Sequence, residues 1–166
     1  MNKESAIQYM IYRHHHWGKV IPNVHTERYG GSEVDALYLS STNRAYFYEI
    51  KCSKSDFKAD FKKKRHQMFL DRDDTMCIKP KYFYYVCHGF NISVEDIPEY
   101  AGLIIASEFK NRLEIVKKAP LLWNDPLSEK DLMFIHTKIL HRYLNIRHKQ
   151  GQESLYEMEQ TDKKEI

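Results

Sequence analysis

Two carboxylates and an ammonium stand where apolar residues would be expected in Glu33-Val34-Asp35-Ala36-Leu37-Tyr38-Leu39 and in Tyr46-Phe47-Tyr48-Glu49-Ile50-Lys51. On a β-strand, residues two apart share a face at ~6.6–6.8 Å, so Glu49 and Lys51 project together while Ile50 points to the core side. Asp35 lies near the start of the preceding strand, which an antiparallel hairpin brings beside the end of the next. Such a trio suits phosphodiester hydrolysis. Mg²⁺ or Mn²⁺ takes hard oxygen ligands, here Asp35, Glu49 and the Ile50 carbonyl, and keeps positions open for phosphate and water. The metal lowers the pKa of bound water, and the Lys51 ammonium orients that water or neutralises charge growing on the phosphate.

Convergence depends on register. Opposed residues of an antiparallel pair have a constant number sum and share a face. A two-residue loop at Thr42-Asn43 gives a sum of 85 and puts Asp35 opposite Ile50, on the wrong face. A three-residue loop gives 84 or 86 and puts Asp35 opposite Glu49 or Lys51. The site therefore requires an odd loop or a bulge.

The surrounding elements follow from periodicity. Residues 4–17 place Ile7, Met10, Ile11 and His14 at helical spacing, with Gly18 as a stop. Strands are expected at 20–28, 34–41 and 44–52. Ser53 with Asp56 then fits a capping box that opens a helix running to about Leu70. Residues 82–87 and 102–107 read as central buried strands and 113–116 as an edge strand. Ser128 with Asp131 opens a long last helix, expected to stop near Gly151. The fold class is α/β, with a mixed central sheet flanked by helices. Residues 1–151 are expected to form one domain and 152–166 a charged, frayed tail.

Composition narrows the classes. The chain has 166 residues, 42% hydrophobic and 30% charged, within the globular range. No apolar stretch approaches the ~20 residues of a membrane helix and no signal-peptide core is present, so a cytoplasmic protein without a membrane partner is expected. Cys52, Cys77 and Cys87 have no CxxC spacing and read as reduced packing residues. Of the net charge of +3, residues 150–166 hold −3, leaving +6 on the body. Lys62, Lys63, Lys64 and Arg65 concentrate that charge directly after the candidate site and form a candidate phosphate-binding surface.

Competing readings are ordinary. Glu49 and Lys51 alone would pass for a cross-strand ion pair. Asp56, Asp60 and Lys64 fall at i, i+4 and i+8, which helix salt bridges explain. His14-His15-His16 cannot chelate one ion from a helix, because successive side chains diverge by ~100°. Glu27 and Glu33 have the alternation to face the site and form a second tier.

Asp35, a hairpin, Glu49-x-Lys51 and a following helix resemble the PD-(D/E)XK nuclease superfamily, with Val34 in place of the Pro of its name. The stretch Glu49-Ile50-Lys51-Cys52-Ser53-Lys54-Ser55-Asp56-Phe57-Lys58-Ala59-Asp60, with Ala101-Gly102-Leu103-Ile104, is similar to the MmcB-like branch of DNA-repair-associated proteins. That branch usually carries a first-strand Glu, where Glu27 stands. The likeness covers about residues 20–118 and implies a restriction-endonuclease-like α-β-β-β-α-β core. It also implies a metal-dependent nuclease acting on duplex or branched DNA in repair, recombination or a mobile element. A catalytically silent nucleic-acid-binding module on the same fold is the alternative. RNA as substrate and a homodimer as oligomeric state both stay open.

Overall fold

The computed structural model describes residues 3–16, 18–26, 33–60, 70, 78–107 and 111–162, with side chains to residue 152. Glu27 and the run Lys62, Lys63, Lys64 and Arg65 lie outside the described residues, as does Cys77. The chain divides into two compact units, Met1–Glu129 and Lys130–Ile166.

The first unit is a six-stranded mixed sheet in sequence order, β1 (Lys19–His25), β2 (Glu33–Leu39), β3 (Ala45–Lys51), β4 (Tyr82–Cys87), β5 (Gly102–Ser107) and β6 (Arg112–Lys117). β1-β2, β2-β3 and β5-β6 are antiparallel, whereas β3-β4 and β4-β5 are parallel. A helix, α1 (Lys3–His14), precedes the sheet, and α2 (Lys54–Asp60) follows β3. β1 is an edge strand, which is where Pro22, lacking a ladder donor, is tolerated.

Period-2 alternation separates the two faces of the sheet. Ala36, Tyr48, Ile50, Val86, Ile104 and Ala106 pack with Ile7, Met10 and Ile11 of α1. Ile50 is 5% exposed, and burial of a side chain of that size stabilises by ~1.5–3 kcal/mol. The odd-numbered set, including Leu37, Phe47, Phe83, Tyr85 and Leu103, is buried on the other face. Both faces of β4 and β5 are thus apolar, as parallel strands require.

α2 begins as its capping signal implies, with the Asp56 amide donating to Ser53 Oγ at 3.2 Å. Its buried residues are Phe57 and Asp60, three apart on one face. Asp60 is therefore not the surface helix salt-bridge residue that its spacing from Asp56 and Lys64 suggests.

The second unit belongs to α3 (Glu129–Asp162), a helix of 34 residues. The expected stop at Gly151 is corrected here, because the helix continues through it to Asp162. A lone helical glycine costs only about 1 kcal/mol relative to alanine, and the flanking Lys149, Gln150, Gln152 and Glu153 are good helix formers.

Candidate functional site

The β2-β3 hairpin has the odd loop that the site needs. Ser40 and Arg44 pair across Ser41-Thr42-Asn43, with the Ser40 amide donating to the Arg44 carbonyl at 3.0 Å. Asn43 adopts φ 56°, the left-handed conformation that commonly ends a three-residue hairpin loop. The ladder from Leu39↔Ala45 to Ala36↔Tyr48 keeps a constant sum of 84, so continuation places Asp35 opposite Glu49. Beyond Tyr48 the backbone pairing gives way to a side chain, as the Ile50 amide donates to Asp35 Oδ2 at 2.6 Å. The Asp35 carbonyl in turn accepts from Gln8 Nε2 of α1 at 2.8 Å.

Lys51 Nζ donates to Glu49 Oε1 at 2.8 Å and to Asp60 Oδ1 at 3.1 Å, and Asp56 Oδ2 stands 3.8 Å away. Tyr85, which registers beside Glu49 on parallel β4, donates its hydroxyl to Asp60 Oδ2 at 3.0 Å. Glu49, Lys51 and Asp60 are 1%, 2% and 0% exposed, so this ion-pair chain sits in the interior. Burial pushes the Asp35 carboxyl up to about 7, and the Glu49 charge adds to the rise; the Ile50 amide and Lys51 pull less strongly downward. Burial works to lower the Lys51 pKa, but Glu49 and Asp60 outweigh it and raise it on balance.

The donor set fits a hard divalent cation. The Glu49 charge that raises the proton affinity of Asp35 would be offset by a cation between the two carboxylates. The N–H and C=O of one strand residue face the same neighbour, so the Ile50 carbonyl faces the β2 side, where Asp35 lies. Among the described residues there is no group of three or more His, Cys, Asp or Glu set to hold a metal. Two carboxylates with a main-chain carbonyl are a different kind of set.

Asp35, Glu49, Ile50 and Lys51 are thus brought together. Glu33 is engaged by His25, its cross-strand partner, with Nε2 and Oε2 at 3.3 Å. Sequence reasoning did not assign Asp60 or Tyr85 to the site. The signal for Asp60 was its position three residues after Phe57, on the apolar side of α2.

His15 is half-buried, stacked on Tyr38 with centroids 3.6 Å apart, and its Nε2 lies 2.6 Å from the Tyr48 hydroxyl. Cys87 is a buried packing thiol whose pKa burial pushes up to about 12, whereas Cys52 is exposed.

No protein-family model matches the chain, and no curated protein matches it. A solved structure of a protein of unknown function from Silicibacter pomeroyi is similar in fold, with a TM-score of 0.64 and 20% identity. The match covers 91% of this chain and 95% of that one. The architecture is therefore an α/β fold already seen in another protein.

Proposed function

We propose that the protein is a metal-dependent DNA nuclease of the PD-(D/E)XK type, with Asp35, Glu49 and Lys51 as its catalytic residues. The carrying observation is the hairpin sum of 84, whose continuation would set Asp35 opposite Glu49, together with the bond from Lys51 to Glu49. The element order α1-β1-β2-β3-α2-β4 agrees with the restriction-endonuclease-like core implied by the sequence resemblance.

Asp35, Glu49 and the Ile50 carbonyl would hold Mg²⁺ or Mn²⁺. When bound, the metal supplies Lewis acidity and a bound water of lowered pKa. The Ile50 amide fixes the Asp35 carboxylate. Glu49 and Asp60 keep the Lys51 ammonium charged, so that it can orient an attacking water or offset charge on the phosphate. Repair, recombination or mobile-element DNA is the proposed setting, with Lys62, Lys63, Lys64 and Arg65 contacting the phosphates.

A silent DNA-binding module is favoured by one observation, the near-complete burial of Glu49 and Lys51 at 1% and 2% exposure. Incubation of supercoiled, linear, branched and single-stranded DNA, and of RNA, with Mg²⁺ or Mn²⁺ separates the readings. The nuclease reading expects cleavage that Asp35→Asn removes, and calorimetric Mn²⁺ binding that Glu49→Ala removes. Binding of DNA with no cleavage of any substrate would establish the silent module.

A further inference from the structure

We propose that Asp60, oriented by Tyr85, is a positioning residue that fixes the Lys51 ammonium beside Glu49 and keeps it from neutralising Glu49 alone. The proposal rests on the nuclease reading. Both oxygens of Asp60 are engaged, Oδ1 by Lys51 Nζ at 3.1 Å and Oδ2 by the Tyr85 hydroxyl at 3.0 Å. The residue is 0% exposed at the end of the described turns of α2.

A surface helix salt bridge needs none of this. A carboxylate is carried into the interior only when its charge and lone pairs are met there. Here both partners come from strands, Lys51 from β3 and Tyr85 from β4.

The consequence for Lys51 is geometric. Its flexible four-carbon stem would otherwise let the ammonium fall onto whichever anion is nearest. Glu49 Oε1 at 2.8 Å and Asp60 Oδ1 at 3.1 Å hold it from two sides. Two of its three donor hydrogens are thereby committed, and Asp56 Oδ2 stands 3.8 Å from the same nitrogen. Sharing the ammonium also leaves Glu49 part of its negative charge, which a cation between Asp35 and Glu49 requires. Tyr85 stays a donor throughout the usual pH range, because burial, followed by the Asp60 charge, raises its pKa. Phe57, packed edge-on against the Tyr85 ring with centroids 5.1 Å apart, fixes the phenol in turn.

Asp60→Asn and Tyr85→Phe test the role in three ways. Nitrogen-15 spectra of lysine Nζ in the metal-free protein report where the ammonium sits. The Lys51 signal should shift or vanish by exchange in Asp60→Asn and shift in Tyr85→Phe. Calorimetry should find weaker Mn²⁺ binding in Asp60→Asn, although Asp60 is not a ligand. Cleavage kinetics should show kcat lowered by roughly 10–100-fold with the KM for DNA unchanged, the range typical of groups that orient metal-site residues.

If Asp60→Asn does not fold, Tyr85→Phe, which removes a single hydroxyl, carries the same readouts. An unchanged Lys51 signal and unchanged kcat in a wild-type enzyme that cuts DNA would overturn the positioning role alone. A wild type that cuts nothing, with a Lys51 signal that still responds, would overturn the nuclease reading as well and leave a structural ion pair.

Discussion

The Asp35 carboxylate accepts the Ile50 amide at 2.6 Å, so a side chain takes over where the backbone ladder of the β2-β3 hairpin ends. Its carboxyl is pushed from 3.8 up to about 7, by burial first and Glu49 second. A raised carboxyl pKa means that the folded state keeps a proton the unfolded state has released. Asp35 therefore contributes most below pH 4, and its contribution is lost as pH rises through 7. Asp35→Asn should be more stable to unfolding than the wild type at pH 8 in chelator, by on the order of 2 kcal/mol, and lose that advantage by pH 4. A thermal difference that does not vary with pH would refute this.

Lys51→Ala should be a poor catalytic control. It leaves Glu49 and Asp60, at 1% and 0% exposure, without their shared cation. Breaking one partner of a buried pair costs about 3–5 kcal/mol. Urea titration should show a loss of that size, and a midpoint within experimental error of wild type would contradict it.

Gly102→Ala should destabilise the sheet. A methyl there would run into the Tyr84 ring on the paired strand and come within 2.6 Å of the Ala119 amide nitrogen. Overpacking of this kind costs about 1–3 kcal/mol, which chemical denaturation measures directly.

Replacing Lys62, Lys63 and Arg65 with Ala should weaken DNA binding for all sequences alike and flatten its salt dependence by about 0.9 in log–log slope per lost phosphate contact. Metal affinity should not move. Equal slopes for both proteins would transfer the phosphate surface to Arg142, Arg147 and Lys149 on α3.

The hairpin geometry was legible because parity is unforgiving: a residue either shares a face with Glu49 or does not. Only an odd loop or a bulge lets Asp35 do so, and Ser41-Thr42-Asn43 is an odd loop. Strands 82–87 and 102–107 were legible as short apolar runs. Asp60 was not, since a charged residue four from Asp56 has a sufficient explanation on a helix surface, and only the tertiary partners Lys51 and Tyr85 show otherwise. His15 escaped for a similar reason, because its stacking on Tyr38 joins residues distant in sequence. Gly151 misled because a glycine stop signal is local, while the helix formers around it act together.

The hairpin also bears on how the chain assembles. The bond from Ile50 to Asp35 spans 15 residues and that from Lys51 to Asp60 spans nine, whereas Tyr85 reaches Asp60 across 25. Closing short loops is fast and entropically cheap, and contacts across longer separations slow folding. Asp35, Glu49, Lys51 and Asp60 can thus gather within one contiguous hairpin-helix segment before β4 docks in parallel. On that order of events β4, the strand that carries none of these charges, would be the one to bring the Tyr85 hydroxyl onto Asp60.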